Sequence, residues 1–327
     1  MRFGPVPLQE AEGAVLAHSL PVSGGRLRKG KVLEAGDLAA LAAEGRTEVT
    51  VARLDPGDVA EDAAALAIAR AVAGPGLELQ AVGTGRVNLL ATGPGVARID
   101  AARVDAVNAI DPAITLATVP RWQRMDPKGM LATVKVIAYA VPGAALERAC
   151  AEGAGALALA PPVIATASLI QTDVGLPAHH QKGQEVTEAR LDRLGARLIE
   201  AHVVPHREAP LAQALAAAQG GIVLILTGSA TSDLRDVAPA AVVHAGGRIL
   251  RFGMPVDPGN LTFLGALADR PVLGLPGSAR SPAVSGSDWL LERLVCGIAV
   301  TPAEIAAMGV GGLLKEIPTR PRPRSQT

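Results

Sequence analysis

The chain has 327 residues, is 49% hydrophobic but only 2% aromatic, and balances 31 Lys and Arg against 31 Asp and Glu. With no net charge it offers no electrostatic footprint for a nucleic-acid duplex or an anionic membrane, and so few rings weigh against a single-strand binder built on stacking platforms. The length suits two domains, with cores of Ala, Val, Leu and Ile. Cys150 and Cys296 are the two cysteines. Neither lies in a metal or redox motif, so both read as packing thiols of a reducing cytoplasm. The N-terminal MRFGPVPLQEAEG lacks the apolar run of a signal peptide, and no window nears the ~18 apolar residues of a membrane span. The expected location is therefore cytoplasmic.

In chain order, Leu8–Leu20 is amphipathic, and Gly24, Gly25 and Gly30 punctuate a hairpin-like segment before a short strand at Lys31–Leu33. Asp37 is expected to cap a helix over Leu38–Ala43. A strand at Glu48–Ala52, a helix at Glu61–Val72 and a strand at Leu77–Val82 follow. The next turn, Gly83-Thr84-Gly85-Arg86, is either an anion cradle or a plain glycine turn, and short glycine motifs favour the turn. Strands are expected at Val87–Ala91, Val96–Asp100, Ala113–Thr118 and Met130–Tyr139, with a short helix at Arg103–Ala109. Trp122 reads as hinge packing, with ring stacking on a ligand as the alternative. Ala144–Glu152 is a further helix. The small-residue and proline stretch 153–162 marks the domain boundary, so residues 1–160 read as an α+β, β-rich domain without a long helix.

Residues 161–310 read differently. Strands at Ala167–Gln171, Ile199–Val204, Ile222–Leu226, Arg248–Phe252, Leu261–Leu264 and Pro271–Leu275 are interleaved with helices at Glu185–Leu198, Pro210–Ala218, Ala240–Ala245 and Ser285–Leu294. Val174–Gln184 is read as a polar loop holding His179 and His180, whose adjacent placement is poor for a metal. Alternation of this kind implies a parallel sheet with helices on both faces. Residues 311–327, rich in proline and arginine, read as a disordered tail.

The most informative stretch is Gly220–Pro239, GGIVLILTGSATSDLRDVAP. A continuous apolar run suits a strand buried on both faces. It stops in small hydroxylated residues, and Asp236 then caps a helix with Pro239 in the tolerant first turn. A strand, small-residue loop and helix start form a generic anion site, because first-turn N–H groups lack helical partners. In such sheets ligands bind beyond the carboxyl ends of strands, so this loop and Leu275–Arg280 should meet at one crevice.

The residue order TGSATSDLRDVAP resembles the signature of the MogA/gephyrin-type molybdopterin-binding domain, which also forms the third domain of MoeA-type proteins. Thr227, Gly228, Arg235, Asp236, Val237 and Pro239 match its pattern, with Ser229 in place of a glycine. Gly274-Leu275-Pro276-Gly277-Ser278 resembles the family's second signature, and Gly253–Gly259 its segment ending in Pro258-Gly259, with Asp257 where lysine is common. The order GRLRKGKVLEAGDLAALAAEGRTEVTVARL is similar to the N-terminal part of MoeA-type proteins.

The resemblance implies a MogA-like three-layer α/β domain preceded by a smaller α+β, β-rich one. It implies molybdopterin as ligand, held by Thr227, Gly228, Ser229, Thr231, Ser232, Pro258, Gly259, Pro276, Gly277 and Ser278, with Arg280 a charge partner. Arg235 and Asp236 stand at the family's polar catalytic positions. Two functions stay open. One is an enzyme of molybdenum cofactor biosynthesis that adenylylates the pterin with ATP and Mg²⁺ or assists molybdate insertion. The other is a carrier that delivers the cofactor to a molybdoenzyme or a nucleotidyltransferase. A homo-oligomer is implied by either. The family's acidic "VPDD" turn reads Val204-Pro205-His206-Arg207-Glu208 here, and its first-strand "GDE" loop is Thr172–Gly175, which weakens metal-assisted catalysis.

Overall fold

The computed structural model describes residues 1–175 and 178–314. The chain divides into two compact units, residues 1–93 with 97–159, and residues 94–96 with 160 onward.

In the first unit, the strands Arg2–Pro7, Glu48–Arg53 and Val15–Leu16 form a small antiparallel sheet. Leu8, Leu16, Leu33, Leu41 and Val51 pack against it. The Leu8–Leu20 segment is a 3-10 turn followed by short strands, because Ala14 and Leu16 point into this core. The helix here spans Ala35–Ala43 and begins earlier than the sequence suggests. Glu34 caps it, and Asp37 sits three residues in, closing the capping box and pairing with Lys31. A larger antiparallel sheet runs in the order Ile114–Thr118, Met130–Val136, Arg86–Ala91, Leu77–Gly83. The helices Glu61–Val72 and Gly143–Gly153 share its aliphatic core.

The second unit is built on six strands in the spatial order Arg197–Pro205, Thr166–Asp173, Ile222–Leu226, Arg270–Leu275, Phe263–Leu267, Arg248–Phe252. The first four pair in parallel. Phe263–Leu267 is antiparallel to both of its neighbours, because the two residues Ala268 and Asp269 turn the chain directly back into Arg270–Leu275. Ala268 takes a positive φ of 52° there, without the glycine or asparagine that announces such a turn. Every residue of Ile222–Leu226 is buried, as a strand with both faces covered requires. The helix expected to start at Glu185 starts at Ala178, so His179 and His180 lie in its first turn and not in a loop. A short helix, Pro302–Ala306, not expected from the sequence, follows the helix Gly286–Val295. Residues 257 and 313 form a bridge, and residues 315–327 of the predicted tail lie outside the described residues. Among the described residues no helix is long and apolar enough to cross a membrane.

Candidate functional site

Sheet topology decides where the loops go. The first strand in sequence, Thr166–Asp173, has the second on one side and the third on the other. The switch point, where a crevice opens beyond the strand ends, thus falls between Thr166–Asp173 and Ile222–Leu226. Gln171 is level with Leu226, and Leu226 with Leu275. The segments following Thr172, Leu226 and Leu275 therefore leave one rim side by side. Phe252 is level with Phe263, which is level with Gly274, so the Gly253–Thr262 connection lies on that rim too. His206 reaches it from the end of the neighbouring strand, where its N–H donates to the Asp173 carbonyl at 3.2 Å.

The predicted residues then separate into those that build the rim and those that face outward. Thr227 and Thr231 are buried. The Thr227 hydroxyl donates to the Ser229 carbonyl at 2.6 Å and lies 3.4 Å from the Thr231 hydroxyl, so these two hold the loop closed. Gly228 donates its N–H to Thr172 Oγ1 at 2.9 Å. A Cβ there would lie 2.6 Å from the Thr172 carbonyl oxygen, so the close approach excludes any side chain. Ser229 and Ser232 are exposed. Asp236 is the N-cap of the helix Val237–His244, one oxygen accepting from the Val237 N–H at 2.8 Å and the other from Ser232 at 3.0 Å. Arg235, with a 92% exposed side chain, forks onto Asp233, and that pairing holds the Asp233 carboxyl down at about 2.

On the second loop, Pro276 is buried, Gly277 exposed and Ser278 half-buried. A Cβ on Gly277 would meet nothing nearer than 3.8 Å, so the protein itself does not demand glycine at this place. Pro258 and Gly259 are buried against the start of the helix Gly286–Val295, where Gly286 donates to the Pro258 carbonyl at 2.8 Å. They support the rim and do not present side chains on it.

Arg280 joins the two loops. Its Nη2 donates to the Thr227 carbonyl at 2.9 Å, while its Nε is buried with no hydrogen-bond partner among the described residues. Burial pulls the guanidinium below its ordinary value. An orphaned buried donor of this type costs free energy unless something accepts from it. Together with the Gly228 cradle and the open serines, it makes the rim fit an anionic ligand.

Sequence reasoning missed Arg190. From its helix it donates to the carbonyls of Ala279 at 2.6 Å and Ser281 at 2.8 Å, and it pairs with the buried Asp288. Nothing local marks it, since its partners lie about ninety positions away. Thr172 was also missed as a rim-builder, although it bonds both Gly228 and, at 2.8 Å, His206 Nδ1. Asp173 is engaged by His180 and the Gly175 N–H. Among the described residues no three His, Cys, Asp or Glu are placed together to hold a metal. The Gly83–Arg86 segment is a hairpin turn, with Gly85 donating to the Asp62 carboxylate at 2.6 Å. The protein's own carboxylate fills the place a foreign anion would need.

Residues 182–294 match the model of a family described as "Probable molybdopterin binding domain", and residues 5–53 match a domain of unknown function. No curated protein matches the chain. Among solved structures, the molybdopterin biosynthesis MoeA protein from Pyrococcus horikosii is 14% identical, with 90% of this chain and 75% of that chain covered and a TM-score of 0.32. The family match spans the TGSATSDLRD loop, Pro258-Gly259 and the LPGS loop in one continuous segment. Residues 182–294, within the second unit, therefore carry a probable molybdopterin binding domain.

Proposed function

We propose that the second unit binds molybdopterin at the rim formed by Thr227–Asp236 and Pro276–Arg280, and that the protein serves molybdenum cofactor biosynthesis. The observation that carries this reading is Arg280 spanning both loops with a buried donor to spare, within a segment matched to a molybdopterin-binding family. In the proposed complex, Arg280 and the Gly228 region receive the phosphate, and Ser229, Ser232 and Ser278 offer hydroxyls to the polar pterin edge.

Of the two roles, delivery of bound cofactor to a molybdoenzyme or a nucleotidyltransferase is the better supported. Both Asp236 oxygens are spent on backbone N–H groups and Arg235 is spent on Asp233, which leaves neither poised for chemistry. The alternative, adenylylation with ATP and Mg²⁺ or help with molybdate insertion, gives Asp236 and Arg235 catalytic roles. A homo-oligomer belongs to either proposal and is read by light scattering.

The test is a fluorescence titration with molybdopterin, repeated with ATP and Mg²⁺ and analysed for adenylylated pterin. Saturable binding without product supports the carrier. Product that Asp236→Ala abolishes supports the enzyme, and absence of binding removes both.

A further inference from the structure

The first unit contains a cleft of about 640 Å³ lined by Arg98, Asp100, Arg121, Trp122 and the backbone around Gly155. This is within the range of roughly 300–1,000 Å³ that small-molecule sites occupy. Arg98 and Arg121 have no carboxylate partner among the described residues. One carboxylate, that of Asp100, also lines the cleft. It accepts the Arg103 N–H at 3.2 Å and lies 3.4 Å from Arg103 Nε. The cleft thus carries uncompensated positive charge. Ala101 and Ala102, the first two residues of the helix Ala101–Asn108, also line it, and first-turn N–H groups have no intrahelical acceptors.

The indole is placed there against local preference. Gln123 donates to the Pro120 carbonyl at 3.1 Å, closing a four-residue turn. Trp122 occupies its third position with φ at 68°, a conformation that favours glycine. The turn is clamped to the neighbouring strand, with Trp122 N–H donating to Ala97 at 2.9 Å and Ala97 N–H to Gln123 at 2.8 Å. Trp122 and Arg98 both line the cleft. Arg121 lies 4.5 Å from the ring centroid, so a guanidinium and an aromatic surface are presented together. A bulky residue held in a strained turn at the wall of a charged cleft is the pattern of a ligand clamp.

We infer that this cleft binds an organic phosphate with a flat heteroaromatic ring, of the size of a mononucleotide. The phosphate meets Arg98 and the open N–H groups of the helix start, and the ring packs against Trp122 and Arg121. The cleft lies within the first unit, and the inference does not depend on the pterin reading.

The full-length protein titrated calorimetrically with AMP and with flavin mononucleotide should give saturable binding with at least one. Adenosine and inorganic phosphate alone should each bind more weakly than AMP. Both arginines are exposed, so the Arg98→Gln/Arg121→Gln protein should keep its fold and its molybdopterin binding while losing about tenfold or more in nucleotide affinity, as expected when charge-assisted bonds are removed. Trp122→Gly, which suits the left-handed turn, should weaken binding similarly. The inference is overturned if neither nucleotide binds, if inorganic phosphate binds as tightly as AMP, or if nucleotide affinity survives the double arginine substitution.

Discussion

Two glycine-bearing loops on this chain look alike in sequence and differ in kind. Gly83-Thr84-Gly85-Arg86 joins antiparallel neighbours, and its free donor is answered by Asp62 from the adjoining helix. Thr227–Asp236 follows a parallel strand at a switch point, and its glycine N–H is answered by a neutral oxygen, Thr172 Oγ1, while Asp236 and Asp233 take the Ser232 and Arg235 N–H groups further along. The difference lies in what meets the glycine N–H, a carboxylate in the hairpin and a hydroxyl at the switch point, and only the hydroxyl would not repel an anion. Topology, and not glycine content, sets that condition.

The comparison can be broken at the second rim loop first. Arg190→Leu leaves the buried Asp288 unpaired and frees the carbonyls of Ala279 and Ser281. Removing one member of a buried pair costs about 3–5 kcal/mol, which urea denaturation would read directly. Next come the two glycines themselves. A methyl group at Gly228 would lie 2.6 Å from the Thr172 carbonyl, and one at Gly85 would lie 2.5 Å from that of Val136. Each alanine variant should lose about 1–3 kcal/mol from overpacking, but only Gly228→Ala should also lose molybdopterin affinity. Equal affinity losses for the two would erase the distinction.

Asp236→Ala removes a helix cap and should cost about 1 kcal/mol in thermal unfolding. Gly277→Ala should leave stability within about 0.5 kcal/mol, since a Cβ has room there, yet weaken the pterin about tenfold if ligand approaches that backbone. The smallest effect concerns the opposite rim. There Glu200 accepts from the Gln219 N–H and the Ser168 hydroxyl, and these bonds pull its carboxyl from 4.5 down to about 2. A carboxylate depressed in the folded state stabilises fully above its unfolded value and loses that contribution as pH falls from about 4.5 toward 2. Glu200→Gln should flatten the stability profile across that window while leaving ligand affinity unchanged.

Where a signal was local, the sequence carried it. The helix Glu61–Val72, the strand Ile222–Leu226 and the Asp236 cap stand where patterning and capping chemistry place them. The meeting of the two rim loops was also legible, because both follow strands of one sheet. What escaped was set by distant partners. His179 and His180 entered the helix that starts at Ala178, with His180 held to Asp173. Arg190 and Thr172 act through residues dozens of positions away. The reversal of Phe263–Leu267 turns on an alanine in a left-handed conformation, which no propensity would favour.

Arg190 has a consequence for thermodynamics as well as for shape. Because its guanidinium already fixes the path of residues 279–281, a ligand at the proposed site would find that loop preorganised and would not have to immobilise it, the ordering entropy being met during folding. Affinity at the proposed site should thus depend on Arg190 through the loop it holds, with a faster dissociation when the staple is gone.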